Sequence, residues 1–148
     1  MNLLKQMLVT RVLAAQVDGT GTQSSDILDM AGWDGVIFMA KFDDVDNTAT
    51  LTLRVQQNTA NSASGMATLS GSATYTAAAT DADDDLLILD IHKPRERYLR
   101  AQVVIGVANA TTAAIIAIQH CGTAGQIYPV TQSSTVLDSD TLVSPAEA

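Results

Sequence analysis

The sequence predicts an all-β fold: a jelly-roll-like antiparallel β-sandwich of about eight strands with an extended C-terminal arm. Three observations predict it. Val and Thr are abundant, Lys and Glu are scarce, and no apolar stripe recurs at helical period. The acids are 14 Asp and only 2 Glu. Asp favours turns and caps, whereas Glu favours helix interiors. Short apolar runs recur at fairly regular spacing between Gly, Asp, Asn and Ser turns. At 148 residues the chain suits one sandwich domain over residues 1–126, followed by an arm over 127–148. A domain of this size buries roughly 70% of its unfolded surface without disulfides or metals.

The elements follow in order. Residues 7–14 read as the first strand. The preceding MNLLK reads as a terminal segment, because Lys5, Gln6 and Arg11 break the apolar run a signal peptide requires. Gly19-Thr20-Gly21 reads as a flexible loop, and residues 27–30 as one helical turn after Asp26. The turn Gly32-Trp33-Asp34-Gly35 leads into a strand at 36–42, VIFMAKF. Residues 50–57 alternate cleanly: Leu51, Leu53 and Val55 face the core, and Thr50, Thr52, Arg54 and Gln56 face water. The Ala/Ser/Thr/Gly tract at 58–80 holds two short edge strands, 67–69 and 73–76. Strands at 86–91 and 98–107 flank a basic hinge. VANATTA at 107–113 reads as a turn, and AAIIAIQH at 113–120 closes the series. The arm carries Pro129, Pro145 and many Ser and Thr, with one further strand at 135–137.

Charge narrows the function classes. The formal net charge is -8, against the broad basic surface needed to coat nucleic acid. No run reaches the ~20 apolar residues of a membrane-spanning helix. Cys121 is the lone cysteine, so neither an intrachain disulfide nor a Cys-based zinc site can form. The runs Asp81-Ala82-Asp83-Asp84-Asp85 and Asp43-Asp44-Val45-Asp46-Asn47 lack the ligand spacing of a calcium loop. They read as solvated turns that discourage edge pairing. A Cys121–His92 nucleophilic pair is formally possible, but a lone Cys after a strand is usually a small buried hydrophobe. No hydrolase, P-loop or dinucleotide motif occurs. The expectation is a non-enzyme with no cofactor and no metal.

The hinge HKPRERYLR concentrates Lys93, Arg95, Arg97 and Arg100, half of the chain's eight Lys and Arg residues. Arginine beside Tyr98 is a composition enriched in interface anchors. The competing reading is that these arginines are solvated, or paired with Glu96 and the Asp clusters. Strand alternation also splits them between two faces, unless the strand begins only at Tyr98. The candidate interface set is Lys93, Arg95, Arg97, Tyr98 and Arg100, with Tyr128, Pro129 and Val130 at the root of the arm.

Several strings together carry a resemblance: DILDMAGWDGVIFMAKF, ATLTLRVQQN, LLILDIHKPRERYLRAQVV, AAIIAIQH and PVTQSSTVLDSDTLVSPAEA. In this order they resemble the capsid decoration, or cement, proteins of tailed bacteriophages, across roughly residues 7–148. The most specific pieces are Gly32–Val36, Pro94–Arg100 and the ending Ser144–Glu147. The resemblance implies a β-sandwich or jelly roll, made in the host cytoplasm. It would bind the major capsid protein on the capsid exterior and self-associate as a homodimer or homotrimer. Neither nucleic acid nor membrane is an expected partner. Two other classes remain: another virion component, such as a head–tail connector or tail protein, and a carbohydrate-binding or adhesion module. The latter is weakened by an aromatic content of only 4%.

Overall fold

The computed structural model describes residues 3–121 and 130–139. A 3-10 turn at Leu3–Lys5 precedes nine strands. These are β1 (Met7–Leu13), β2 (Gly19–Ser24), β3 (Leu28–Asp29), β4 (Gly35–Val45), β5 (Thr50–Asn58), β6 (Ala67–Thr68), β7 (Ala73–Thr76), β8 (Leu86–His92) and β9 (Tyr98–His120). All pairings are antiparallel. The sequence-based expectation of an antiparallel all-β sandwich matches this architecture.

The organising element is β9, a single strand of 23 residues. Its C-terminal half lies between β1 and β4, and β8 extends that layer beyond β4. Its N-terminal half lies between β2–β3 and β5, and β6 and β7 extend that layer beyond β5. The sheet therefore folds over on itself, with β9 running through both layers. Alternation then fills the space between them. Val36, Phe38, Ala40 and Phe42 of β4 and Leu51, Leu53 and Val55 of β5 are buried together. So are Leu99, Ala101, Val103, Ile105, Ile115 and Ala117 of β9. One apolar face per strand removed from water, at roughly 25 cal/mol per Å², is the main force holding the layers together.

Four expectations need correction. VANATTA is not a turn. The ladder runs through it, Val107 takes a left-handed φ of 69°, and Ala110 pairs with both Gly19 and Val45. Gly19-Thr20-Gly21 belongs to β2, because the edge of β9 offers its backbone partners. The segment expected as a helical turn contains β3, paired with Leu99 and Tyr98. No strand forms at 135–137. There Val136 N–H donates to Ser133 C=O at 2.9 Å, closing a turn.

The described part of the arm lies along the outer edge of β1. Gln132 substitutes for a strand: its Oε1 accepts from Val9 N–H at 2.9 Å, and its Nε2 donates to Leu4 C=O and Met7 C=O. Thr135 Oγ1 accepts from Arg11 N–H at 3.0 Å, and Val130 N–H donates to Lys5 C=O. Side chains thus satisfy an edge that would otherwise invite another chain.

Candidate functional site

The hinge residues are dispersed by the fold. β9 begins at Tyr98, so Lys93–Arg97 form an irregular connection and only Tyr98 and Arg100 are on a strand. Arg97 grips Asp29 with two parallel bonds, Nε–Oδ1 at 2.8 Å and Nη2–Oδ2 at 2.7 Å. The guanidinium, helped by Ala31 N–H, holds the Asp29 carboxyl down at about 2. Arg97 also stacks over Tyr98, 5.2 Å from the ring centre. Arg100 donates to Gln56 Oε1. Two of the four hinge cations are therefore engaged within the chain. Lys93 and Arg95 are exposed. Val130 is half-buried beside Lys5, whereas Tyr128 and Pro129 lie outside the described residues.

The run at 81–84 is a turn as expected, whereas Asp43, Asp44 and Val45 lie on β4, held there by the ladder to the neighbouring strands, and only from Asp46 does the second run turn the chain. Asp83 accepts from Val45 N–H, Lys41 bridges Asp43 and Asp84, and Asp81 accepts from Tyr75 O–H at 2.7 Å and from Ala78 N–H. The hydrogen bond from Tyr75 lowers the Asp81 pKa, and the same bond raises that of Tyr75. Among the described residues, no three His, Cys, Asp or Glu side chains are grouped to hold a metal ion. A cleft of about 440 Å³ opens beside them, lined by apolar Phe42, Leu51 and Leu87 and by acidic Asp81, Asp84 and Asp85. The sulfur of Cys121 meets Gln6 C=O at 3.6 Å, and His92 is exposed.

The more telling arrangement is on the two outer faces. In the β1–β9–β4–β8 layer, residues that alternate with the buried set point away from the core. Register places Val9, Ile118, Ile37 and Asp90 in one row, and Arg11, Ile116, Met39 and Ile88 in the next, so that an apolar centre is framed by a charge at one end of each row. Leu86 stands beyond Lys41. Leu86 and Ile88 are each 53% exposed. No described strand packs over this apolar face. Gly35 sits at one end, under the His120 ring; a Cβ there would lie 2.7 Å from Nε2 and 2.9 Å from Ile91 O.

The outer face of the other layer is polar and internally bonded. Arg54 Nε donates to Gln102 Oε1 at 3.0 Å, and Gln102 Nε2 donates to Ser24 Oγ at 2.8 Å. One row along, Arg100 donates to Gln56, which donates to Thr68 Oγ1 at 3.2 Å. Sequence reading missed the apolar face. Its signal was present: VIFMAKF and AAIIAIQH are apolar at both parities, the mark of a strand covered on both sides.

No protein-family model matches this chain, and no curated protein matches it. Among solved structures it is similar to the PBSX exported protein XepA, at 21% identity and a TM-score of 0.49. That match covers 96% of this chain and 45% of the other, so the chain spans less than half of that protein's length. It is also similar to Eiger TNF from S. frugiperda, at 10% identity and a TM-score of 0.43, covering 81% of this chain and 96% of that one. Neither likeness is close enough to carry a function across.

Proposed function

We propose that this chain is a virion structural protein, a capsid decoration protein that clamps the outer surface of the major capsid lattice and stabilises the head. The observation that carries the reading is the apolar outer face of the β1–β9–β4–β8 layer. A contiguous apolar patch framed by polar residues marks a surface that a partner covers. The ordered motifs that resemble decoration proteins favour the capsid lattice as that partner. Such a clamp acts by shape and burial and requires no chemistry. Many copies around a symmetric shell turn a modest single contact into firm attachment.

The test is addition of the purified protein to capsids that lack it, followed by heating. Wild type is expected to bind and to raise heat resistance. Met39→Lys and Ile116→Lys, neighbours on the apolar face, are expected to abolish binding while the protein stays folded. Thr52→Lys, on the polar face, is expected to bind as wild type does. Failure of wild type to bind any capsid would remove the decoration role. Full binding by the two apolar-face variants would remove this face from it.

A further inference from the structure

We propose that β8 is a self-association edge: two copies pair through β8 about a two-fold axis at Leu89, joining their apolar layers into one continuous sheet. The two edges of this layer are treated differently. β1 is covered by Gln132 and Thr135. β8 pairs with β4 on one side, and among the described residues nothing pairs with its other side. A bare edge offers unpaired N–H and C=O groups, and a second strand satisfies them.

Charge selects the second copy as that strand. β8 is bounded by two left-handed residues, Asp84 (φ 62°) and Lys93 (φ 50°), which turn the chain sharply at each end. The entry end is acidic, with Asp84 and Asp85. The exit end is basic, with Lys93 and Arg95. Antiparallel pairing about Leu89 sets Leu86 opposite His92 and Leu87 opposite Ile91 of the second copy. One step beyond the strand, it sets Asp85 opposite Lys93. The two-fold repeats that contact, so each acidic end meets a basic end and the dimer holds two such contacts. The side chains of Asp85 and Lys93 are exposed and carry no hydrogen bond among the described residues. Parallel pairing would instead set like ends together. Asp90, which would otherwise crowd the partner's Ile88, is directed over its own sheet, 4.0 Å from His120 Nε2. Exposed Leu86 and Ile88 would then lie inside a joined face instead of at its margin, with the Asp90 carboxylate of each copy beside the seam.

The experiment is a charge swap read by sedimentation equilibrium of the isolated protein, with no capsid present. Its outcome is therefore separate from that of the decoration reading. Wild type is expected to dimerise. Asp85→Lys alone and Lys93→Asp alone each place two like-charge contacts in the dimer and are expected to weaken it by roughly tenfold or more. An equimolar mixture of the two variants restores both contacts and is expected to form the heterodimer at near wild-type affinity. A monomeric wild type, unchanged dimerisation of the single variants, or a mixture that stays monomeric would each overturn the proposal. Circular dichroism checks the fold. Should Asp85→Lys fail to fold, Lys93→Asp with a dimer constant equal to wild type is sufficient to overturn it.

Discussion

The two outer faces of this sandwich are built by the same long strand and have opposite characters. The N-terminal half of β9 presents Arg100 and Gln102 to a face whose polar groups bond one another across three strands. The C-terminal half presents Ile116 and Ile118 to a face that is aliphatic at its centre, with Arg11, Lys41 and Asp90 at its margins. The polar face bonds its long side chains to one another and meets water without loss. The apolar face gains only when something covers it. Interaction potential here follows from what is left over. Concentration of charge in the sequence is a poor guide to it: the arginines that stand out there are largely engaged within the chain.

The contrast can be broken at several points. The largest effect is expected in the core that both faces share. Phe38 is fully buried, and Phe38→Ala should cost about 3–5 kcal/mol in chemical denaturation, collapsing both layers together. Next is Gly35→Ala, which forces a methyl against the His120 ring and the Ile91 carbonyl. It should cost about 1–3 kcal/mol by the same measurement. Gln132→Ala removes three bonds that close the β1 edge, at a cost of about 1–2 kcal/mol. Faster amide exchange at Val9 should report the opened edge directly. On the polar face, Gln102→Leu strands Arg54 and Ser24 and should cost about 1 kcal/mol, read by thermal denaturation.

The smallest effect is at Asp29. Its carboxyl is held near 2, below the ordinary value of 3.8, by Arg97 and Ala31 N–H. A depressed folded-state value stabilises the protein above the unfolded pKa, and that contribution is lost as pH falls from about 4 toward 2. The group is nearly half exposed, so water screens the pair and the effect is modest. Asp29→Asn should lower Tm by a few degrees at most at neutral pH. Its Tm should converge on that of wild type at the acid end of the window.

Much of the fold was legible because alternation is a local signal. Leu51, Leu53 and Val55 declare one face of β5 without reference to anything distant. The β2 segment GTGTQS carries no such signal. It is a strand because β9 supplies its partners some 80 residues later, and no local window contains that fact. VANATTA misled for the converse reason. Asn and Thr favour turns, but here two neighbouring strands hold the ladder together through a left-handed Val107. The apolar outer face was written in the sequence as two-sided apolar strands. The basic hinge drew attention instead, because charge is conspicuous and its distant partners, Asp29 and Gln56, are not.

The central place of β9 also has a consequence for biosynthesis. Five of the other eight strands, β1 to β5, hydrogen-bond to it. Before Tyr98 leaves the ribosome, the nascent chain can close only β4 against β8, and β5 against β6 and β7. Its first strand must then wait for residues 115–120, more than a hundred positions downstream. Folding is thus a late, chain-wide event governed by long-range closure, slow for a protein of this length. During that wait the aliphatic runs of β4 and β8 are presented to water without their cover, the condition under which partly folded chains aggregate.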